Sequence, residues 1–181
     1  MLRVKIVSAA VHDIRFPTSL SLDGSDAMHR RPDYSAAYVV LETDDPDLSG
    51  HGLTFTNGKG TEVAVAGIAA LAPLVVGRTL EGITGDLRGF WRSLVSEDQL
   101  RWLGPEKGVM HLAAAALVNA VWDLWAKREG VPLWKLLAHL PAEDIVSAVE
   151  AGVNNYILKP FTPSVLKEKI DRLLASISAA A

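Results

Sequence analysis

The first residues alternate. Val4, Ile6 and Ser8 fall on one side and Lys5, Val7 and Ala9 on the other, a period of two that predicts a half-buried strand running to about Ile14. Residues 17–33 break the pattern with Pro17, Gly24, Pro32 and four polar residues, Asp23, Ser25, Asp26 and Asp33. Connections longer than about a dozen residues are uncommon in compact domains and tend to carry function. Ala36–Leu41 predicts a second strand, closed by the acidic turn Asp44-Asp45-Pro46-Asp47, and Gly52–Phe55 a third, closed by Asn57-Gly58-Lys59-Gly60. Three strands in succession predict an antiparallel meander.

The period then changes to that of a helix. Glu62–Val76 places Val65, Ile68, Ala69 and Ala72 on one face and stops at Gly77. Leu87, Phe90, Trp91 and Leu94 take the i, i+3, i+4, i+7 positions of an amphipathic helix. From about Lys107 to Lys127 the chain is apolar nearly all round, which predicts a helix packed on several sides. Gly130 ends it, Val131-Pro132 turns the chain, and Leu133–Leu137 starts a short helix. The last forty residues follow another logic: helix 141–151, strand Tyr156-Ile157-Leu158, then a helix capped by Thr162 with Val165, Leu166, Ile170, Leu173 and Leu174 as its stripe. The fold class expected is α+β, a three-stranded antiparallel meander plus a helical bundle, with an appended α–β–α tail. The domain boundary is expected at residue 140, giving 1–140 and 141–181.

Composition narrows the function classes. The 181 residues contain no cysteine, which removes disulfide frameworks, thiolate metal sites and cysteine catalysis. A net charge of −3, with no basic run beyond His29-Arg30-Arg31, argues against a nucleic-acid partner. No uninterrupted apolar stretch approaches the ~18 residues of a membrane span, and the alternating N-terminus is unlike a signal peptide, so no membrane partner and a cytoplasmic location are expected.

Motif chemistry is sparse. The five histidines, 12, 29, 51, 111 and 139, show no metal-ligand spacing. Gly58-Lys59-Gly60-Thr61 lacks the preceding glycine of a phosphate loop and reads as a turn, and Asp44, Asp45 and Asp47 read as a solvated hairpin. Four of the five tryptophans, 91, 122, 125 and 134, are expected in the core, with Trp102 the exception. Asp123, set in the apolar helix, needs a partner such as an arginine or a backbone group.

Several segments are familiar. Arg15-Phe16-Pro17-Thr18-Ser19, Leu22 to Met28, Asp33 to Tyr38, Gly50 to Thr56, Gln99 to Gly108, Asn119 to Lys127 and Pro132 to Leu137 together resemble the N-terminal capping domain of the enolase superfamily, and closely the L-fuconate dehydratase group. The resemblance implies that loops 19–33 and 56–60 close over an acid-sugar substrate held by a (β/α)-barrel. It points to Asp23, Gly24, Ser25, Asp26, Thr56, Asn57, Lys59 and Trp102 as lid residues. The full-length family enzyme uses Mg²⁺ to stabilise an enolate, followed by β-elimination. A barrel needs roughly 200 residues, whereas about forty follow Leu140. No catalytic residue is therefore carried over and no cofactor is expected in this chain.

The tail is similar to a different family. Val149 to Pro163, with Leu166 to Ile170, resembles the last β–α unit of a chemotaxis-type response-regulator receiver, which would make Lys159 the phosphoryl-contacting lysine and Tyr156 the switch aromatic. The receiver's phosphoacceptor aspartate and acidic pair have no counterpart. Two alternatives to a lid domain stay open: a non-enzymatic binding or signalling module that self-associates through its C-terminal helix, and a chimera with no function as a unit.

Overall fold

The computed structural model describes residues 3–104 and 108–140. Tyr156 and Lys159, with the whole expected α–β–α tail, lie outside the described residues. The chain divides into two compact units, 1–133 and 134–181.

In the first unit, β1 (Ile6–Arg15), β2 (Ser35–Thr43) and β3 (Ser49–Thr56) form an antiparallel sheet in the order β1-β2-β3, the expected meander. The strand prediction for β1 holds, but its phase does not. Ile6 pairs with Thr43 and Ser8 with Glu42, so Val7 is an extra residue in a β-bulge. The bulge keeps Val4, Ile6, Ala9 and Val11 on the core side and leaves Val7 47% exposed. Ser8, expected beside Val4 and Ile6, is on the solvent side instead. The first residues of β1 also have a second neighbour that periodicity does not announce. Ile6 N donates to Arg78 O at 3.0 Å, Gly77 N to Ile6 O at 2.8 Å and Leu80 N to Val4 O at 2.8 Å.

Helix α1 (Thr61–Leu71) stops five residues before the predicted end, because Pro73 has no N–H for an α-helical bond and the chain tightens into a 3-10 turn over Ala72–Leu74. Its inward face is Ala64, Gly67, Ile68 and Leu71; Ala69, expected inside, is exposed. α2 (Leu80–Thr84) is a single turn capped by the Thr79 side chain, too short to produce a periodic signal. α3 (Leu87–Val95) is capped by Asp86 and buries Phe90 and Leu94.

α4 (Val109–Arg128) is the central helix and packs on β2, β3, α1 and α3. By length and hydropathy it has the character of a membrane-crossing helix, yet its buried residues are those of a core helix. Its approach to the sheet is unusually close. Gly50 lies against Ala120 and Leu124, and Gly52 against Ala116 and Ala120, so helix and strand run in opposite directions with backbone nearly touching backbone. The N-terminus of α4 therefore lies at the end of the sheet where β3 finishes. Asp123 Oδ2 accepts from His51 N at 2.8 Å and from Lys127 Nζ at 2.6 Å. The partner is thus a backbone group plus a lysine, and the carboxylate is one-third exposed rather than sequestered.

In the second unit, the described residues 134–140 complete α5 (Leu133–Ala138) and bury Leu136. Trp134 is 68% exposed, contrary to its expected core position.

Candidate functional site: two converging loops

The end of β1, the start of β2 and the end of β3 lie at one end of the meander, where Arg15 pairs with Ser35 and Ser35 with Thr56. The long loop 16–34 and the turn 57–60 consequently emerge side by side. Contacts between them are direct: Asp33 N donates to Asn57 O at 3.3 Å, and Gly58 sits so close that a side chain there would meet Asp33 Cβ at 2.8 Å. Only glycine fits, since Gly58 also takes a φ of 105°.

The base of the long loop is tied by short polar bonds. Thr18 Oγ1 donates to Pro32 O at 2.8 Å and accepts from Tyr34 N at 3.0 Å, and Ser19 N donates to Asp33 Oδ1 at 3.1 Å. Hydrogen bonds from Ser19, its side chain first and then its backbone, hold the Asp33 carboxyl below the usual range, with the positive charge of Arg15 adding to the effect. Toward the tip, Tyr34 lays its ring over Gly24 and its hydroxyl donates to Gly24 O. The same ring packs on Phe55 at 5.4 Å between centroids. Leu22 has a φ of 59°, an uncommon conformation for a branched side chain and a mark of local backbone strain. Leu20, Leu22 and Met28 are exposed on this loop, an apolar group without cover in a polar segment.

The second loop is stapled at its root. Thr56 Oγ1 and the fully buried Thr61 Oγ1 are 2.7 Å apart, and Thr61 Oγ1 donates to Gly58 O at 2.6 Å. Gly60 takes the left-handed conformation at the N-cap of α1. The Gly58-Lys59-Gly60-Thr61 segment is thus a turn, as expected. Arg15 reaches across to it: Nη1 donates to Gly58 O at 2.9 Å, while Nε and Nη2 hold both oxygens of Asp13 at 2.6 and 2.7 Å. Nη2 also meets Glu62 Oε2 at 2.7 Å. Bonds to Arg15 pull the Asp13 carboxyl below its usual range; for Glu62 the backbone amide of its own residue comes first and Arg15 second.

Several of the expected lid residues thus do different jobs. Asp26 accepts from Met28 N at 2.8 Å and His29 N at 2.6 Å and stands 3.3 Å from His29 Nδ1, so its carboxylate shapes its own turn. The backbone bond from His29 is the leading cause that lowers its pKa. Asp23 is bonded by Ser21 Oγ at 2.5 Å. Thr56 staples the turn and Asn57 contributes its carbonyl. Ser25 and Lys59 are left exposed on the two loops. Trp102 is 80% exposed on a separate 3-10 turn, Arg101–Leu103, near the N-terminal end of α4. Arg15, Asp33, Tyr34 and Thr61, which build the site, carry no signal in periodicity or motif spacing. Among the described residues no group of three or more His, Asp or Glu side chains is placed to hold a metal ion. The described residues therefore do not fit Mg²⁺.

Comparison with known proteins places this geometry. Residues 6–138 match the model of the mandelate racemase / muconate lactonizing enzyme N-terminal domain. Mitochondrial enolase superfamily member 1 of Bos taurus is 60% identical over 151 residues, 83% of this chain and 34% of that protein. L-galactonate dehydratase of Hypocrea jecorina is 47% identical over 163 residues, 90% of this chain and 35% of that protein. The crystal structure of human mitochondrial enolase superfamily member 1 superposes with a TM-score of 0.75 at 60% identity, covering 77% of this chain and 32% of that one. A chemotaxis protein CheY homologue of Campylobacter jejuni is 44% identical over 86 residues, 48% of this chain and 65% of that protein. The chain thus spans about a third of the length of the enolase-superfamily relatives it matches. By its sequence and its meander-plus-helices fold, the chain belongs to the mandelate racemase / muconate lactonizing enzyme N-terminal domain family of the enolase superfamily.

Proposed function

We propose that residues 1–140 are the substrate lid of an acid-sugar dehydratase of the L-fuconate dehydratase type. The observation that carries the reading is the convergence of loop 16–34 and turn 57–60 at one end of the sheet, with Asp33 N on Asn57 O at 3.3 Å. Ser25 and Lys59, both exposed on these loops, are the polar groups that would meet a hydroxylated anion, and Gly24, Asp23, Asp26, Thr56 and Asn57 hold the loops in shape. Trp102, exposed on the 3-10 turn that precedes α4, would offer an apolar surface. A lid excludes water and orients substrate, while barrel strands carry the proton transfers. The 181-residue chain by itself supplies closure and no turnover. Likeness to the Hypocrea jecorina L-galactonate dehydratase supports the acid-sugar class.

The test is a domain graft. Residues 1–140 replace the matching part of the human relative, and Mg²⁺-dependent keto-acid formation from L-fuconate and L-galactonate is measured. An active hybrid whose kcat/KM falls at least tenfold on Lys59→Ala supports the lid reading. A folded hybrid indifferent to Lys59 and Ser25 substitution refutes it.

A second reading concerns the tail alone. The chain's 86-residue likeness to the Campylobacter jejuni CheY homologue supports a receiver-derived segment, in which Tyr156 and Lys159 would take the switch and phosphoryl-contact positions. Joined to a lid domain, that segment makes the chain a binding module or a chimera of two parents. Sedimentation of the whole chain against one ending at Leu140 separates self-association through the tail from a monomer.

A further inference from the structure

We propose that Arg15 is a positioning residue that joins the two loops into a single closing body. The inference deepens the lid reading and rests on it for its functional consequence. Arg15 is the last residue of β1, the root from which the long loop departs, yet its Nη1 bond goes to Gly58 O of the other loop, at 2.9 Å. Gly58 O is shared with Thr61 Oγ1 at 2.6 Å, so the carbonyl is clamped from both sides of the turn. The guanidinium is oriented toward Gly58 by Asp13, which takes Nε and Nη2 in fork geometry, and by Glu62 at the first turn of α1, which takes Nη2. A planar fork matches that arrangement and an ammonium does not.

The turn in turn holds the long loop. Asn57 O receives Asp33 N, Asp33 Oδ1 receives Ser19 N, and Thr18 bonds Pro32 O and Tyr34 N. A continuous chain of bonds therefore runs from Arg15 through Gly58 and Asn57 to Asp33 and Ser19. Fixing Gly58 fixes the base of both loops, and displacing it frees both. The loops then close together on substrate instead of as two independent flaps.

The test is amide hydrogen exchange of the whole 181-residue chain, read without substrate, so that failure of the coupling and failure of the dehydratase reading are separable. Arg15→Ala is expected to speed exchange at Thr61, Asp33 and Ser19 by at least tenfold each, with Val39 and Leu117 unchanged. A merely local role speeds Thr61 and leaves Asp33 and Ser19 as they were; that result overturns the proposal. Glu62→Gln removes one charge partner and leaves the Gly58 bond, so exchange at Ser19 is expected within twofold of the parent. A Glu62→Gln variant that behaves like Arg15→Ala shows that charge alone is at work and also overturns it. If the alanine variant does not fold, Arg15→Lys keeps the charge without the fork and is expected to release the same three amides. Parent-like exchange there refutes the role of the fork.

Discussion

Alanine at Gly52 would place a methyl carbon 2.1 Å from Ala116 O, 2.5 Å from Ala120 N and 3.0 Å from Ala120 Cβ, where ordinary contact begins at 3.4 Å. Two of these neighbours are backbone atoms in the middle of α4 and cannot rotate aside. To relieve the overlap, helix and strand must part by about 1 Å, a gap that the nearby buried side chains Ala113, Leu117 and Val121 would feel as lost contact. Overpacking costs roughly 1–3 kcal/mol where side chains can adjust, so Gly52→Ala is expected to cost about 3 kcal/mol or more. With ~2–4 °C lost per kcal/mol for a chain of this length, Tm falls by roughly 6–12 °C. Urea denaturation followed by tryptophan fluorescence and a thermal scan measures both. Gly60→Ala is the control: it has a φ of 87° and nothing within 4 Å of the added methyl. That variant carries only left-handed strain of about 1–2 kcal/mol. A Gly52→Ala variant that loses less than Gly60→Ala would refute the close-packing argument.

Other expectations follow from single bonds. Asp123→Ala removes the acceptor of His51 N and the partner of Lys127, and should lower stability by about 1–2 kcal/mol in urea melts, with Asp123→Asn recovering part of it. For Asp33 the folded pKa is depressed, so the order it gives to Ser19 is complete above the unfolded value of ~3.9 and is lost as pH falls through the lower folded value. An NMR titration of the Ser19 amide with its midpoint at or above 3.9 would contradict this. Tyr34→Phe deletes the bond to Gly24 O and should speed exchange at the loop tip several-fold while leaving the Asp33 amide protected. The purified 181-residue chain is expected to form no keto-acid from L-fuconate with Mg²⁺, and detectable turnover would overturn the assignment of chemistry to a separate barrel.

Much of the architecture was legible because it is written in periodicity. The meander and the burial of α4 follow from spacing, whereas the end of α1 fell at Leu71, before Pro73, and not at Gly77. What escaped has a common cause, namely contacts distant in sequence. The pairing of residues 4–6 with 77–80 leaves no local trace, and α2 is one turn long. The inward face of α1 was misplaced because Gly67, which has no side chain to count as apolar, is the residue that lets Val109 and Ala113 approach. The site divides the same way. Loop 16–34 stood out by its length and polarity, but the division of labour within it did not. Asp26 and Thr56 look like ligand residues until their bonds to neighbouring groups are seen, and Arg15 looks like an ordinary strand terminus until its reach to Gly58 is seen.

The bulge at Val7 gives β1 one residue of slack. Without Val7 the strand would alternate regularly, and Val4, Ile6, Ala9 and Val11 would still share the core face, so a deletion at that position is absorbed. The same deletion at Ala10 can use that slack only by closing the bulge, which keeps 11–15 in register but sets Ser8 in the core-facing position of Ala9. The tolerance of this strand to length change thus depends on which side of Ser8 the change falls: before it the core face keeps its apolar residues, beyond it a hydroxyl enters.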